Sequence, residues 1–222
     1  MTPIERYMGD WVTLIPENVL NTYRTMIMQA ALNGISIEPI PERIFYAFRK
    51  CSLDNCCAVV LGQDPYPQKG VSTGIAFGNE LTGGQRMSPS LEVIYLSVTR
   101  NSEDLPIFDT SLESWEKQGI LMLNSALTVK TNIPGSHSQA WKPFTSTVVE
   151  LLSERKPDIF WLLLGKQAWE FKDCIKNQHN NVLMERHPAF YSRTNTPMPT
   201  KTWDTMLEYI ERTFGRKIAL YE

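Results

Sequence analysis

Four short apolar runs, each followed by small, polar or ionisable residues, constrain the fold of this chain more than any other feature. Residues 57–61 run into Gly62-Gln63-Asp64, and residues 120–123 into Asn124-Ser125. Residues 158–164 run into Gly165-Lys166, and residues 182–184 are soon followed by Arg186-His187-Pro188. The first is rich in β-branched side chains and stops abruptly at a glycine, an acid and two prolines (Pro65 and Pro67), as a buried strand feeding a rigid loop should. Between these runs lie helical patterns. Pro16 opens one with Leu20, Tyr23 and Ile27 on a single face, and Pro41 opens another with Ile44, Phe45 and Phe48 inward. A helix is expected over 89–100, and a short one after Ser111, its expected cap. A longer one carries Trp141, Phe144, Val148 and Leu152, and two more are expected over 166–176 and 202–213.

Strands alternating with helices predict an α/β fold: a central, mostly parallel four-stranded sheet with helices on both faces. No repeat, linker or low-complexity segment interrupts residues 1–222, which read as a single domain. In such sheets ligands bind beyond the carboxyl ends of the strands. The four strand ends should therefore share one rim, and Asp64, Asn124 and His187 should meet there.

Bulk properties narrow the function classes. With 22 Lys and Arg against 24 Asp and Glu, the net charge is -2, which argues against a broadly basic nucleic-acid coat. No apolar run approaches the roughly 18 residues of a membrane span, so no membrane partner is expected. The opening residues Met1-Thr2-Pro3-Ile4-Glu5-Arg6 carry no secretory pattern. Cys51, Cys56, Cys57 and Cys174 form no CxxC pair, so reduced thiols in a cytoplasmic compartment, or a nuclear one in a eukaryote, are expected rather than a zinc site or a disulfide framework. Neither GxGxxG nor GxxxxGK[ST] is present, which speaks against a generic nucleotide-binding enzyme.

Each candidate site residue has an ordinary explanation when taken alone. Asp64 and Asn124 suit turns, His187 before Pro188 suits an extended structural position, and Phe77 and Tyr66 suit packed aromatics. His137 and Ser138 suit loop hydrogen bonds.

Together, and in this order, they resemble the uracil-DNA glycosylases, specifically family 1, the class of the human and common bacterial enzymes. The resemblance runs from about Trp11 onward. It rests on Gly62-Gln63-Asp64-Pro65-Tyr66-Pro67, Gly74 to Phe77, Pro89-Ser90-Leu91, the block ending in Leu123-Asn124-Ser125, Ser136-His137-Ser138, and His187-Pro188. It implies hydrolysis of the bond joining uracil to deoxyribose in single- or double-stranded DNA, without metal or cofactor. Asp64 would orient water and stabilise an oxocarbenium-like sugar, and His187 would stabilise uracil O2 as the base departs. Asn124 would read the base, Tyr66 would exclude the thymine methyl, Phe77 would stack, and the Gln63 backbone would help bind uracil. Ser90 and Ser192 would contact phosphates, with Ser88 a further candidate beside Ser90.

The resemblance also implies a DNA-mimicking inhibitor as a partner class, and the chain is expected to be a monomer. A non-catalytic DNA-binding scaffold is the alternative reading; it would need none of the Asp64, Tyr66, Phe77, Asn124 and His187 set. The sequence departs from the family pattern at His187-Pro188-Ala189-Phe190-Tyr191-Ser192, where relatives commonly read His-Pro-Ser-Pro-Leu-Ser. Ala189 lacks a phosphate-binding hydroxyl. Tyr191 replaces a leucine wedge and is expected still to intrude into the duplex. Pro67 stands where many relatives have His.

Overall fold

A computed structural model describes residues 3–81, 86–102, 106–176 and 181–222. In chain order the helices are α1 (Pro3–Met8), α2 (Glu17–Leu32), α3 (Tyr46–Lys50), α4 (Pro89–Val98), α5 (Glu113–Lys117), α6 (Ser138–Arg155), α7 (Lys166–Trp169), α8 (Pro188–Thr194) and α9 (Lys201–Phe214). The strands are β1 (Ile37–Glu38), β2 (Ala58–Gly62), β3 (Ile120–Asn124), β4 (Val129–Lys130), β5 (Phe160–Leu164) and β6 (Asn181–Glu185).

The four predicted strands form one sheet in the order β3-β2-β5-β6, with every neighbouring pair parallel. Every residue of β2, β3 and β5 is buried. A strand is buried at consecutive positions only when both faces of its sheet are covered, and that is why these runs are continuously apolar rather than alternating. β6 lies at the edge and is only partly buried. Register brings the strand ends level: Gly62 pairs with Asn124 and Leu164 with Glu185. The residues immediately beyond, Gln63-Asp64, Ser125, Gly165 and Arg186-His187, share one rim.

The covering elements deliver large aromatics to the core. Trp11, Trp115, Trp141, Trp161 and Trp203 are all essentially inaccessible. Tyr23 of α2 stacks on Trp141 of α6 at 4.7 Å, and Phe45 and Phe48 pack edge-on or tilted against Phe144. Leu20 and Tyr23 of the face predicted for α2 are buried and Ile27 is half-buried, while the segment opened by Pro41 is a 3-10 turn (Pro41–Arg43) followed by α3 rather than one helix, and still buries Ile44, Phe45 and Phe48. Cys51, Cys56 and Cys57 are buried free thiols.

Three local expectations are corrected. The cap position of α5 is taken by Leu112, in the left-handed region at φ 60°, one residue after the expected Ser111. The Ser111 hydroxyl still accepts Glu113 N–H at 3.3 Å while donating to Asp109 at 2.6 Å, and Asp109 accepts Ser114 N–H at 2.7 Å, so the two side chains share the capping. The helix expected over 166–176 stops at Trp169 and continues as a 3-10 turn over Lys172–Cys174, where Phe171 N–H bonds Ala168 carbonyl three residues back. Finally, β1 and β4 pair antiparallel in a two-stranded sheet that no period could reveal. This small sheet braces the loop after β2. Glu38 accepts Gly70 N–H at 3.1 Å, and Asn132 N–H donates to Pro67 carbonyl at 2.8 Å.

Candidate active site

A cavity of about 220 Å³ opens on the rim. Its wall includes Gln63, Asp64, Tyr66, Phe77, Asn124 and His187. These residues come from four separate stretches of sequence. Ser90, Ser72, Ile75, Pro65, Pro67 and Pro134 complete the lining.

Asp64 sits two residues beyond β2. Gly135 N–H donates to its Oδ2 at 2.5 Å. Burial pushes the Asp64 carboxyl above its ordinary 3.8, and the Gly135 amide pulls part of the way back. Gly135 adopts φ 73°, which favours glycine. Sequence reasoning missed Gly135, because a backbone donor leaves no side-chain signature. The Pro134-Gly135 turn signal was the available clue.

His187 caps α8 through its side chain. Its Nδ1 accepts Ala189 N–H at 3.1 Å. Burial, with a smaller push from Arg193, lowers the imidazole to about 4. The ring is therefore neutral near pH 7. With Nδ1 accepting, its proton belongs on Nε2. Gly165, at φ 94°, makes room: a Cβ there would stand 2.8 Å from His187 Cβ.

Asn124 ends β3 and is buried against the cavity. Gly62, its register partner, leaves little room for a side chain. A Cβ on Gly62 would meet Asn124 Oδ1 and the Phe77 ring, each at 3.0 Å. Phe77 holds φ 66°, strained for a bulky residue. Its ring lies 5.5 Å from that of His187 at 49°. Tyr66 donates its O–H to Phe77 carbonyl at 3.2 Å, and burial pushes its phenol to about 12. Gln63 carbonyl is committed to Ser125 Oγ at 2.7 Å and Ala126 N–H at 3.0 Å, which locks the loop after β2 to that after β3.

The expected DNA-contacting residues divide. Ser90 reaches the cavity wall, and Ser192 is exposed along a separate groove of about 600 Å³ between α4 and α8. Ser88 does not present a free hydroxyl: it donates to Tyr66 Oη at 2.5 Å and accepts Leu91 N–H at 3.4 Å. Tyr191 is the residue expected to intrude into a duplex. It is 8% exposed and donates its hydroxyl to Glu185 Oε1 at 2.6 Å, so its ring is docked inward rather than projecting. The buried hydrogen bond to a carboxylate outweighs exposure of a flat ring to water. Phe190 beside it lies under the Arg186 guanidinium at 4.3 Å. His137 holds the loop hydrogen bond expected of it, with Nδ1 2.9 Å from Thr128 Oγ1. No group of three or more His, Cys, Asp or Glu among the described residues could hold a metal ion. Likewise, no described helix is long and apolar enough to cross a membrane.

Fold and site together define an α/β protein with a small pocket over the carboxyl ends of a parallel sheet, walled by a carboxylate, an amide, two aromatics and a neutral imidazole. The uracil DNA glycosylase superfamily model matches residues 48–211. The uracil-DNA glycosylase of Francisella tularensis subsp. novicida is 34% identical over 185 residues, covering 81% of this chain and 83% of that protein. That of Amoebophilus asiaticus is 34% identical over 168 residues, 74% of each chain. Among solved structures, mimivirus uracil-DNA glycosylase superposes with a TM-score of 0.77 at 20% identity over 99% of this chain and 93% of its own. A mimivirus variant in complex with UGI gives 0.80 at 20% identity over 100% and 88%. The chain belongs to the uracil DNA glycosylase superfamily.

Proposed function

We propose that this chain hydrolyses the N-glycosidic bond of uracil in DNA, releasing free uracil and leaving an abasic site, as a family 1 enzyme. The observation that carries the reading is Asp64 and His187 on the wall of one cavity of about 220 Å³. That volume lies below the roughly 300–1,000 Å³ of pockets for drug-sized ligands and suits a single heterocycle. The relatives' names and the family membership support the same reading.

A base in a duplex has to leave the stack to be reached. Phe77 offers a face in place of lost stacking. The Asn124 amide donates to uracil O4 and its carbonyl accepts N3–H. Cytosine presents the reverse pattern, and a buried mismatch costs about 1–3 kcal/mol per unsatisfied group. Tyr66 stands against C5, where a thymine methyl would clash. As the C1′–N1 bond breaks, its electron pair leaves with uracil and the sugar becomes cationic. Asp64 stabilises that cation and orients the water whose oxygen bonds C1′, taking the proton the water sheds, and the departed uracil anion takes up a proton from solvent. His187, neutral and protonated on Nε2, donates to O2 as charge gathers there. Ser90 and Ser192 contact phosphates, and a DNA-mimicking protein of the UGI kind competes for the same rim.

The test is release of free uracil from a uracil-containing oligonucleotide with chelator present. Asp64→Asn and His187→Ala should each lower the single-turnover rate by about 10²–10⁴-fold. Parent-like rates in both variants would leave the non-catalytic scaffold as the better reading.

A further inference from the structure

Tyr66 and Phe77, the two aromatic walls of the pocket, are joined by a closed ring of hydrogen bonds that passes through Ser88. Tyr66 O–H donates to Phe77 carbonyl at 3.2 Å. A phenol has one proton, so the contact between Ser88 Oγ and Tyr66 Oη, at 2.5 Å, is made with the serine hydroxyl as donor. Ser88 N–H donates in turn to Asn79 Oδ1 at 2.8 Å. Asn79 is two residues beyond Phe77, is almost fully buried, and is itself tied to Thr110 carbonyl through its N–H at 2.7 Å. The ring therefore runs from Ser88 to Tyr66 to Phe77, along the chain to Asn79, and back to Ser88. The same Ser88 hydroxyl caps α4 by accepting Leu91 N–H at 3.4 Å, so the ring is anchored to a ten-residue helix.

A wall discriminates against one methyl group only to the extent that it cannot yield. A phenol ring pinned only where it joins the backbone can tilt away from an intruding group. A phenol also held at its hydroxyl tip cannot, without breaking that bond. We propose that Ser88 is a positioning residue for substrate choice: by holding the Tyr66 hydroxyl it stiffens the wall against C5, so that pyrimidines bulky at C5 are turned away. This inference rests on the proposed uracil pocket and on Tyr66 as its C5 wall. Ser88 itself touches no substrate in this account and acts through Tyr66.

The experiment is single-turnover base release from matched single-stranded oligonucleotides carrying uracil, 5-bromouracil or thymine at one position. Ser88→Ala should lower the preference for uracil over the two bulkier bases by about tenfold, the low end of what one methylene is worth in a hydrophobic pocket. Tyr66→Phe removes the other end of the bond and leaves the Ser88 cap in place. It should lower the preference at least as far, and adding Ser88→Ala to it should change nothing more. Ser88→Thr keeps the hydroxyl and should restore the parental ratio. If Ser88→Ala fails to fold, Ser88→Gly takes its place, since glycine also serves at a helix N-cap and lacks the hydroxyl. Should Ser88→Ala keep the parental ratio while Tyr66→Ala lowers it, whatever Tyr66→Phe does, Ser88 is only a helix cap and the inference is overturned with the pocket reading intact. A parental ratio in Tyr66→Ala would remove Tyr66 as the C5 wall and the inference with it. Failure of the parent to release uracil would overturn both.

Discussion

The Ala189 N–H donates to Nδ1 of His187 at 3.1 Å, and this one bond decides which face of the imidazole carries the proton. With Nδ1 accepting and burial holding the ring at about 4, Nε2–H is the donor available to the cavity.

His187 should then titrate near pH 4, and nitrogen-15 NMR near neutrality should show a neutral ring protonated on Nε2. The linkage sign follows. Between the ordinary value of 6.5 and about 4, the unfolded chain binds more protons at this site than the folded one. The contribution of His187 to stability is fully present above pH 6.5 and falls as pH drops through that window. Denaturant melts across it should show a shallower acid slope in His187→Gln. A titration midpoint near 6.5 would remove the basis for a neutral donor.

Gly62→Ala tests the closeness of the pocket walls. The added methyl would press on Asn124 Oδ1 and the Phe77 ring at 3.0 Å each. The backbone conformation of Gly62 is not among the positive-φ positions, so the cost is contact rather than strain. Displacing the Asn124 amide by a fraction of an ångström to 1 Å should lower single-turnover uracil release by up to about 10²-fold. The melting temperature should move little by comparison. A parent-like rate would mean that Asn124 and Phe77 are not held at the separation the reaction needs.

Much of this site was legible before the fold was known, for a physical reason. A parallel strand buried on both faces has to be apolar throughout, so the point where residues 57–61 or 120–123 give way to polar residues marks the rim directly. Asp64, Asn124 and His187 could be placed there from sequence because strand alternation fixes which ends lie together. What could not be read depends on partners distant in the chain or on backbone groups. Gly135 serves Asp64 across 71 residues through an amide. The two-residue strands β1 and β4 are too short for any period. Ser88 and Tyr191 read as surface contacts because their sequence positions border the rim. Their hydroxyls are drawn inward by Tyr66 and Glu185, pairings that no local pattern encodes.

Tyr191→Phe should therefore act first on stability. The Tyr191 hydroxyl donates to Glu185 Oε1 at 2.6 Å, and Oε2 of the same carboxylate accepts the Thr202 hydroxyl at 3.3 Å. Burial and Glu185 push the phenol to about 12, so it stays a donor at neutral pH. Losing a hydrogen bond to a charged group costs about 1.5–3 kcal/mol, measurable by denaturant unfolding. Tyr191→Ala, assayed in parallel, should slow release from single- and double-stranded substrates alike. A loss confined to the duplex would show that Tyr191 leaves Glu185 and enters the stack when DNA binds.

Glu116 provides a pH test far from the chemistry. It is completely inaccessible, its Oε1 accepts Met122 N–H at 2.9 Å, and among the described residues its Oε2 has no nitrogen or oxygen partner, the Cys51 thiol being the side chain beside the carboxyl. Burial raises its carboxyl well above the ordinary 4.5, because an ionised oxygen there would have neither water nor a cation to face. A carboxyl raised in the folded state binds its proton more tightly than the unfolded chain does. Its contribution is complete below pH 4.5 and is lost as pH rises through the folded value. Glu116→Gln keeps an oxygen for the Met122 amide and cannot ionise. It should remove that alkaline decline, so that parent and variant diverge as pH rises above 4.5, with the variant the more stable at the higher pH. Glu116→Ala leaves the Met122 amide unpaired and should cost about 1–3 kcal/mol below pH 4.5, a difference that narrows as the parent loses stability at higher pH. Parallel stability curves for the parent and Glu116→Gln from pH 4 to 8 would mean that the buried carboxyl ionises no differently in the folded chain.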